Sequence, residues 1–200
     1  MKFAVIGTGD VGRAIAEKLA SEGHEVRSAS RTAGGGRYPH AEAAAWAEVI
    51  VNATKGDARV DALRLAGRTN LAGKVLVDVA NPLDFSKGMP PTLFVKDDDS
   101  LGERIQREFP EARVVKTLNT MASRLMVAPG LVKGQHSVFM SGNDKDAKRL
   151  VEDLLRAWGW KDIVDLGDIT TARGTEMLMP LWIRLWAAFG NTDFNFHIAR

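Results

Sequence analysis

The sequence predicts an α/β protein built on a mostly parallel, doubly wound sheet, and three observations support this. Short apolar segments alternate with helical patterns along most of the chain. These segments are continuous β-branched runs, which are typical of strands covered by helices on both faces. The first of them leads directly into a glycine-rich turn at residues 7–12. We therefore expect a central sheet with helices on both sides and a functional turn at one edge.

The first 30 residues predict one strand–helix–strand unit. Residues 2–6 form the first strand, and residues 24–29 form the second. Val11, Ile15 and Leu19 recur at helical spacing between them, up to a stop near Gly23. The pattern then repeats, with helices predicted at 41–47 and 57–65 and strands at 49–51 and 75–77.

The second half of the chain continues less regularly. Residues 81–99 contain several prolines and predict a long irregular segment. Ser100 and Glu103 form a capping-box pattern, which predicts a helix from there to Phe109. The remaining elements are strands at 114–118, 137–140 and 163–164 and a helix at 144–158.

Residues 169–189 are helical in pattern and unusually apolar, so we expect them to be buried in a core or against another subunit. Pro180 lies inside this pattern and predicts a kink or a break into two helices. The tail at 191–200 is expected to pack down. We expect residues 1–200 to form a single domain, with 168–200 as a helical cap or dimerisation element.

Composition narrows the function classes. The apolar fraction of 45% and the charged fraction of 26% are those of an ordinary globular protein. A net charge of +2, with basic and acidic residues interleaved, does not favour nucleic acid or an anionic membrane as partner. Cysteine is absent, which excludes disulfides and thiolate chemistry. No signal peptide or apolar run of about 18 residues is found, so we expect a cytoplasmic protein.

The glycine turn is the first candidate site. Its residues are Gly7, Thr8, Gly9, Asp10, Val11 and Gly12. The triplet Gly-x-Gly-x-x-Gly is a weak signal alone, but here it follows a strand and opens a helix. In that context the first glycine allows a tight turn, the second lets a pyrophosphate approach and the third lets helix and strand pack. The turn therefore predicts a Rossmann-type dinucleotide site, with phosphates at the helix N-terminus.

The residues at the end of the second strand indicate whether NADP or NAD is bound. Proteins that bind NAD usually place an acidic residue there to accept hydrogen bonds from the ribose 2′-hydroxyl. This sequence has Ser30 and Arg31 instead, and a hydroxyl beside a guanidinium suits a 2′-phosphate. Arg37, after three glycines, is a further candidate cation. We therefore expect NADP(H).

Two further turns are expected to flank the ribose and nicotinamide, because ligands of such sheets lie outside the carboxyl ends of the strands. The turn after the third strand contributes Ala53, Thr54 and Lys55, and Lys55 either reaches a phosphate or remains exposed. The turn after the fourth strand contributes the candidate residues Ala80, Asn81 and Pro82.

These segments resemble the family of NADPH-dependent reductases of coenzyme F420, a deazaflavin. The resemblance covers nearly the whole chain. It rests on the glycine turn and on residues 30–31, 81–83, 115–120, 141–144, 165–167 and 172–176. It implies direct hydride transfer between nicotinamide and deazaflavin. It also implies an acceptor ring near residues 80–82 and 119–121, with part of the wall from the C-terminal helices. Such transfer depends mainly on positioning. The homodimer that we expect rests instead on the apolar pattern of the C-terminal helices.

Asn119 is a weak candidate for a catalytic role. Some members of the family carry histidine where this chain has Asn119, which can hydrogen-bond a carbonyl but cannot carry a proton. The acceptor therefore stays open among the deazaflavin, a flavin, a quinone and a small carbonyl or imine compound. Reduction of a carbonyl would need a proton donor, and Tyr38 is the only tyrosine. A non-catalytic NADP sensor is the remaining alternative.

Two other groups favour structural roles. The four histidines, His24, His40, His136 and His197, show no metal-ligand spacing, so we expect surface or turn positions and no metal site. Arg173 and Glu176 are three residues apart on a predicted helix, and an ion pair between them is expected.

Overall fold

The strands of the computed structural model, which describes residues 1–32, 34–55 and 58–200, follow the predicted apolar runs. They are β1 (Lys2–Ile6), β2 (Glu25–Ala29), β3 (Val49–Asn52), β4 (Val75–Asp78), β5 (Leu83–Asp84), β6 (Thr92–Leu93), β7 (Arg113–Thr117), β8 (Ser137–Gly142) and β9 (Asp162–Asp165).

The main sheet has the strand order β2-β1-β3-β4-β7-β8-β9. The strands from β2 to β7 are parallel, β8 pairs antiparallel with β7, and β9 is parallel to β8. The predicted mostly parallel α/β fold is therefore confirmed. The chain leaves β1 toward β2 on one side and returns to β3 on the other. Such a reversal opens a crevice at the carboxyl ends of the strands, where ligands of open α/β sheets bind.

The helices connect these strands. They are α1 (Asp10–Ser21), α2 (His40–Trp46), α3 (Ala58–Ala66), α4 (Arg68–Leu71), α5 (Leu101–Glu108), α6 (Ser123–Val127), α7 (Lys145–Ala157), α8 (Ala172–Met177) and α9 (Met179–Phe189), with 3₁₀ turns at Pro129–Leu131 and Ile169–Thr171. The helix predicted from Asp57 starts at Ala58 among the described residues, and Asp57 itself lies outside them.

Two apolar layers enclose the sheet, because alternate residues of each strand face opposite sides. Phe3 and Val5 of β1 join a core that includes Ile15 of α1 and Val151 of α7. Ala4 and Ile6 join a second core with residues of α2, α3 and α5. Burial on both faces explains the continuous apolar runs seen in the sequence.

The segment 81–99 was predicted to be irregular, and this was wrong in part. Leu83 and Asp84 pair antiparallel with Leu93 and Thr92 to form a two-stranded hairpin of β5 and β6. Leu83 and Leu93 pack against an apolar cluster formed by Met179, Trp182 and Ile183 of α9. The hairpin therefore joins the end of β4 to the C-terminal helices.

The C-terminal region agrees with the sequence pattern. The predicted break occurs at Leu178, between α8 and α9, with Pro180 in the first turn of α9. Phe194 and Phe196 pack against the α9 cluster. The Ser137 N–H donates to the carbonyl of Phe196 at 2.8 Å, so the tail packs down as predicted. None of the helices in the described part of the chain has the length and hydropathy that a bilayer crossing needs.

Candidate functional site

The carboxyl ends of the parallel strands bring the predicted turns side by side. The Gly7 N–H donates to the carbonyl of Ala29 at 3.2 Å, which places the glycine turn beside the end of β2. The Ala53 N–H donates to the carbonyl of Ile6 at 2.8 Å, so the turn after β3 lies on the other side. The Val79 N–H donates to the carbonyl of Asn52 at 3.2 Å and adds the turn after β4.

Each glycine of the first turn meets a different constraint. Gly7 has a φ of 116°, and a Cβ there would lie 2.4 Å from the Ala53 carbonyl oxygen. A Cβ at Gly12 would lie 1.9 Å from the Gly7 carbonyl oxygen, so helix and turn are in direct contact. A Cβ at Gly9 would meet only the Cε of Lys55, at 3.7 Å. Gly7 and Gly12 therefore fix the backbone, whereas the space beside Gly9 suits the approach of a phosphate.

The N-terminus of α1 is the second part of this phosphate cradle. The helix begins at Asp10, and Gly9 at its N-cap supplies no side-chain hydrogen bond. The first N–H groups of a helix have no partner within it, and the helix dipole gives them partial positive charge. Asp10 pairs with Arg13 at 2.8 Å, and both side chains are exposed. The end of the helix is thus an anion-binding position.

A cavity of about 160 Å³ lies where these turns meet. Its lining comes from four segments of the chain: Gly9 and Val11; Ala53, Thr54 and Lys55; Val79, Ala80, Asn81 and Leu83; Met121 and Met126. The walls are mainly apolar, with the helix N-terminus at one side and an amide at the other. Such a cavity suits one flat, weakly polar ring attached to an anionic group.

Buried hydrogen bonds fix the two turns that follow β3 and β4. The Asn52 amide donates to Asp78 Oδ1 at 2.8 Å and accepts a hydrogen bond from the Thr54 hydroxyl at 2.8 Å. The Ala80 N–H donates to the same Asp78 oxygen at 3.3 Å. Asn52 and Asp78 are fully buried, so this network holds the cavity wall in one arrangement.

Lys116 is buried beneath the same wall. Its Nζ donates to Asp78 Oδ2 at 2.7 Å and to the carbonyl of Ala80 at 2.5 Å. Its Nζ also lies 2.8 Å from Glu176 Oε1. Burial alone would lower the pKa of Lys116, but the carboxylates of Asp78 and Glu176 raise it above the ordinary lysine value. Lys116 is therefore a permanently charged part of the site.

Glu176 connects this network to the C-terminal helices. Its carboxylate accepts the N–H groups of Leu101 at 2.7 Å and Gly102 at 3.0 Å, at the start of α5. The predicted ion pair between Arg173 and Glu176 is therefore wrong. Arg173 pairs with Glu103 at 2.6 Å instead. The buried lysine and the helix N-terminus attract Glu176 more strongly than a half-exposed guanidinium on its own helix.

Asn119 is held by its neighbours. Its Nδ2 donates to Asn81 Oδ1 at 2.9 Å and to the carbonyl of Thr175 at 3.1 Å, and the Asn81 Nδ2 donates to the Asn119 carbonyl at 2.7 Å. Leu118 has a φ of 62°, and this left-handed residue turns the chain at the end of β7. Asn119 is buried and orients Asn81, which faces the cavity.

The loop after β2 carries the predicted 2′-phosphate residues. The Ser30 hydroxyl donates to the carbonyl of Thr32 at 2.5 Å, and Arg31 is exposed. Gly34 and Arg37 exchange backbone hydrogen bonds of 3.2 and 3.1 Å, which form a tight hairpin with an exposed Arg37. Two cations and a hydroxyl thus lie in one loop beside the glycine turn.

Arg27 of β2 holds that loop in place, a role that no local sequence pattern indicates. Its guanidinium lies 4.5 Å from the ring centroid of Tyr38 and 4.4 Å from that of Trp46. Tyr38 ends the loop, and its backbone pairs with residues 28 and 30. Stacking of Arg27 therefore ties the loop to α2.

The structure brings most of the predicted residues to one place. Within the described residues, the cavity lining adds Val79, Leu83, Met121 and Met126 to the candidate set. No lining residue in that part of the chain comes from α8 or α9, so the expected wall from the C-terminal helices is replaced by contact through Leu83. The sequence had pointed to Met121 as part of the predicted acceptor turn at 119–121 and to Leu83 as part of the segment 81–83.

The histidines do not converge on one site. Within the described ranges, no group of three or more histidine or acidic side chains has the arrangement of a metal site. The surface or turn position expected for His40 is wrong, because the residue is buried at the start of α2. Burial lowers the pKa of His40, and the positive charge of Arg31 lowers it further.

A parallel sheet, a glycine turn at the strand reversal and an open helix N-terminus together define a Rossmann-type dinucleotide-binding fold. A family model described as NADP oxidoreductase coenzyme F420-dependent matches residues 2–82. The chain is 55% identical to a crystal structure from Arthrobacter sp. FB24, provisionally named as an F420-dependent NADP reductase, over all of both chains with a TM-score of 0.96. The chain belongs to the family of F420-dependent NADP oxidoreductases.

Two curated proteins show how far the likeness extends. The chain is 29% identical to the F420-dependent NADP reductase of Methanothermobacter marburgensis over 92% of each chain. It is 31% identical to the Metalloreductase STEAP3 of Rattus norvegicus over 90% of this chain. It spans 38% of that rat protein, so the likeness concerns one part of a longer chain.

Proposed function

We propose that this protein transfers hydride between NADP(H) and a deazaflavin or flavin-like acceptor, with coenzyme F420 as the leading acceptor. The observation that carries the proposal is the cavity in which the glycine turn, Asn81 and Met121 face one another. The cavity joins a phosphate cradle to an apolar, ring-sized space. Family membership supports the choice of both reactants.

The nucleotide fits the site in one direction. The pyrophosphate binds at Gly9 and the first turn of α1, where the backbone leaves room and the first N–H groups have no partner within the helix. The adenosine then lies toward β2, where Arg31 and Arg37 receive the 2′-phosphate, and the Ser30 hydroxyl joins them by turning away from the Thr32 carbonyl. The nicotinamide extends toward Thr54 and Ala80. Lys55, which is exposed at the cavity rim, is placed to reach a phosphate.

The acceptor ring would stack on the nicotinamide at the mouth of the cavity, on the side of Asn81, Leu83 and Met121. When both are bound, the nicotinamide and the deazaflavin would supply the hydride-transfer chemistry, with one proton taken up from solvent as the acceptor is reduced. The residues of the site hold the two rings at reacting distance and exclude water. Asn81, oriented by Asn119, is the polar group placed to hydrogen-bond a ring carbonyl.

The decisive experiment mixes the purified protein with NADPH and coenzyme F420 and follows the visible absorbance of the deazaflavin. We expect bleaching at a rate proportional to protein concentration. FMN, a quinone and a cyclic imine are tested in parallel. NADPH oxidation with one of these compounds and not with F420 would identify that compound, rather than F420, as the acceptor. Nucleotide binding without any turnover would support a sensor instead.

Homodimerisation is also part of this proposal. Leu181, Trp186 and Phe189 of α9 are 50%, 41% and 55% exposed, and Met177 of α8 is 40% exposed. Large apolar side chains clustered on one short segment are typical of an interaction surface. We propose that residues 168–200 form the contact between two copies of the chain.

A further inference from the structure

The buried charges beneath the cavity do not cancel. Lys116 carries one positive charge, while Asp78 and Glu176 face only hydrogen-bond donors within the described residues. Asp78 accepts from the Asn52 amide, the Ala80 N–H and Lys116. Glu176 accepts from Lys116 and two backbone N–H groups. A carboxyl group whose oxygens only accept hydrogen bonds is ionised. The cluster of one lysine and two carboxylates therefore carries a net charge of −1.

This negative charge lies directly behind the cavity wall. Ala80 lines the cavity, its carbonyl accepts from Lys116, and its N–H donates to Asp78. The three charged side chains are at most 1% exposed as residues, so solvent screens them little. The N-terminus of α5, which contacts Glu176, carries only about half a positive charge. The cluster therefore contributes a negative field from behind Ala80, while the N-terminus of α1 and Lys55 lie on the other side of the cavity, where the phosphates bind.

We propose that the cluster of Lys116, Asp78 and Glu176 makes the site prefer the oxidised nucleotide. The proposal rests on the nucleotide pose given above, in which the nicotinamide lies beside Ala80. The oxidised ring is positively charged and the reduced ring is neutral, so a negative field stabilises NADP⁺ over NADPH. Tighter binding of the oxidised form lowers the reduction potential of the bound couple. Bound NADPH is then a stronger hydride donor toward the acceptor.

The three residues act on the ring through the field and through Ala80, so they are positioning residues. A role limited to holding the fold would weaken both nucleotides alike. A charge effect changes the ratio of their dissociation constants. One buried charge within about 10 Å, at an effective dielectric constant of about 20, changes such a ratio on the order of tenfold.

The test compares Glu176→Gln and Asp78→Asn with the wild-type protein, and each substitution removes one negative charge in nearly constant volume. Dissociation constants for NADP⁺ and NADPH are measured by calorimetry at one ionic strength. We expect both substitutions to change the ratio of the NADP⁺ dissociation constant to the NADPH dissociation constant by about threefold to tenfold, in favour of NADPH binding. A tenfold change corresponds to about 30 mV for a two-electron couple. The wild-type protein should bind NADP⁺ more tightly than NADPH.

Glu152→Gln is the matched control. It also replaces one carboxylate by an amide, but Glu152 lies on α7 in an exposed pair with Arg156. We expect the wild-type ratio in this variant. An unchanged ratio in folded Glu176→Gln and Asp78→Asn would overturn the charge proposal while leaving the proposed function intact. If neither variant folds, the wild-type protein still provides a test, because binding of NADPH more tightly than NADP⁺ would overturn the charge proposal. Absence of binding by the wild-type protein would overturn the proposed function as well.

Discussion

Arg31 is the residue on which the proposed choice of nucleotide depends most. It follows β2 at the position where an acidic side chain would select NAD, and its side chain is exposed beside the glycine turn. Burial lowers the pKa of nearby His40, and the positive charge of Arg31 lowers it further. A fixed cation at this position suits the 2′-phosphate that distinguishes the two nucleotides.

We expect Arg31→Ala to weaken NADPH binding by roughly 1.5–3 kcal/mol, because a charge-assisted hydrogen bond is lost. NADH lacks the phosphate, so its binding should change little. Titration of both nucleotides by intrinsic tryptophan fluorescence measures this. Arg149→Ala, which removes an exposed cation from α7, should leave both affinities unchanged. Equal losses for NADPH and NADH in Arg31→Ala would rule out a contact with that phosphate.

Gly12 leads to a second prediction at the scale of single residues, and this one concerns the stability of the fold. A Cβ at Gly12 would overlap the backbone oxygen of Gly7, so Gly12→Ala must push α1 away from β1. We expect a loss of about 1–3 kcal/mol in the free energy of unfolding. Gly174→Ala is the control, because nothing lies within 4 Å of a Cβ there and the residue is helical. That variant should gain about 0.5–1 kcal/mol. Urea unfolding compares the two.

The sequence revealed the glycine site but not the charged cluster, and the reason is physical. Gly7, Gly9 and Gly12 act through local geometry that spacing alone encodes. Lys116 has its partners at Asp78 and Glu176, which are 38 and 60 residues away along the chain. A lysine in a strand pattern suggests an exposed face unless the distant carboxylates are known. Pairing between remote elements has no local signature.

At the scale of single elements, the start of α5 shows how a predicted cap acquires extra partners. Ser100 accepts from the Glu103 N–H at 3.1 Å, as the capping-box pattern predicts. In a full capping box the Glu103 side chain would also accept from the Ser100 N–H. Here the Ser100 N–H donates to Asp99 instead, and Glu103 pairs with Arg173. The sequence located this helix correctly, whereas the choice of partner depended on the approach of α8.

Asp99 makes this element sensitive to acid. Burial would raise the pKa of Asp99, but Arg107, Arg104 and the Ser100 N–H lower it to about 2, from an ordinary 3.8. A lowered pKa means that Asp99 stabilises the fold above about pH 4 and loses this contribution as the pH falls toward 2. We expect Asp99→Asn to be less stable than wild type near neutral pH, with the difference vanishing near pH 2. Urea unfolding across this range measures it, and a difference independent of pH would contradict the assignment.

Elements that lack a strong local signal were missed. The hairpin of β5 and β6 consists of two-residue strands inside a segment containing Pro82, Pro90 and Pro91, which favours a prediction of loop. Packing of Leu83 and Leu93 against α9 accompanies the pairing. The short helices α4 and α6 contain too few turns for a periodic pattern. Tertiary contacts decided these segments, whereas the longer βα units were predictable from periodicity.

For the molecule as a whole, the C-terminal helices have two roles: one side packs against the nucleotide site, and the other is an exposed apolar surface. On one side Met179, Trp182 and Ile183 pack against the hairpin whose Leu83 lines the cavity. Glu176 of α8 joins the buried charge cluster. Four other large apolar side chains of these helices are exposed: Met177, Leu181, Trp186 and Phe189. A contact between two copies through that surface would therefore brace the wall of the nucleotide site in each copy.

This arrangement predicts a homodimer whose dissociation weakens the site. Leu181→Lys and Trp186→Lys place charges on the proposed contact, and each should raise the dimer dissociation constant tenfold or more, about 1.4 kcal/mol. Leu65→Lys is the matched control, because Leu65 is an exposed leucine on α3 and its substitution should leave the assembly unchanged. Sedimentation velocity gives the oligomeric state, and thermal unfolding of the wild type should shift to lower temperature on dilution. A wild-type protein that sediments as a monomer at all concentrations would show that this apolar surface serves another purpose. A dimer unaffected by both substitutions would place the contact elsewhere on the molecule.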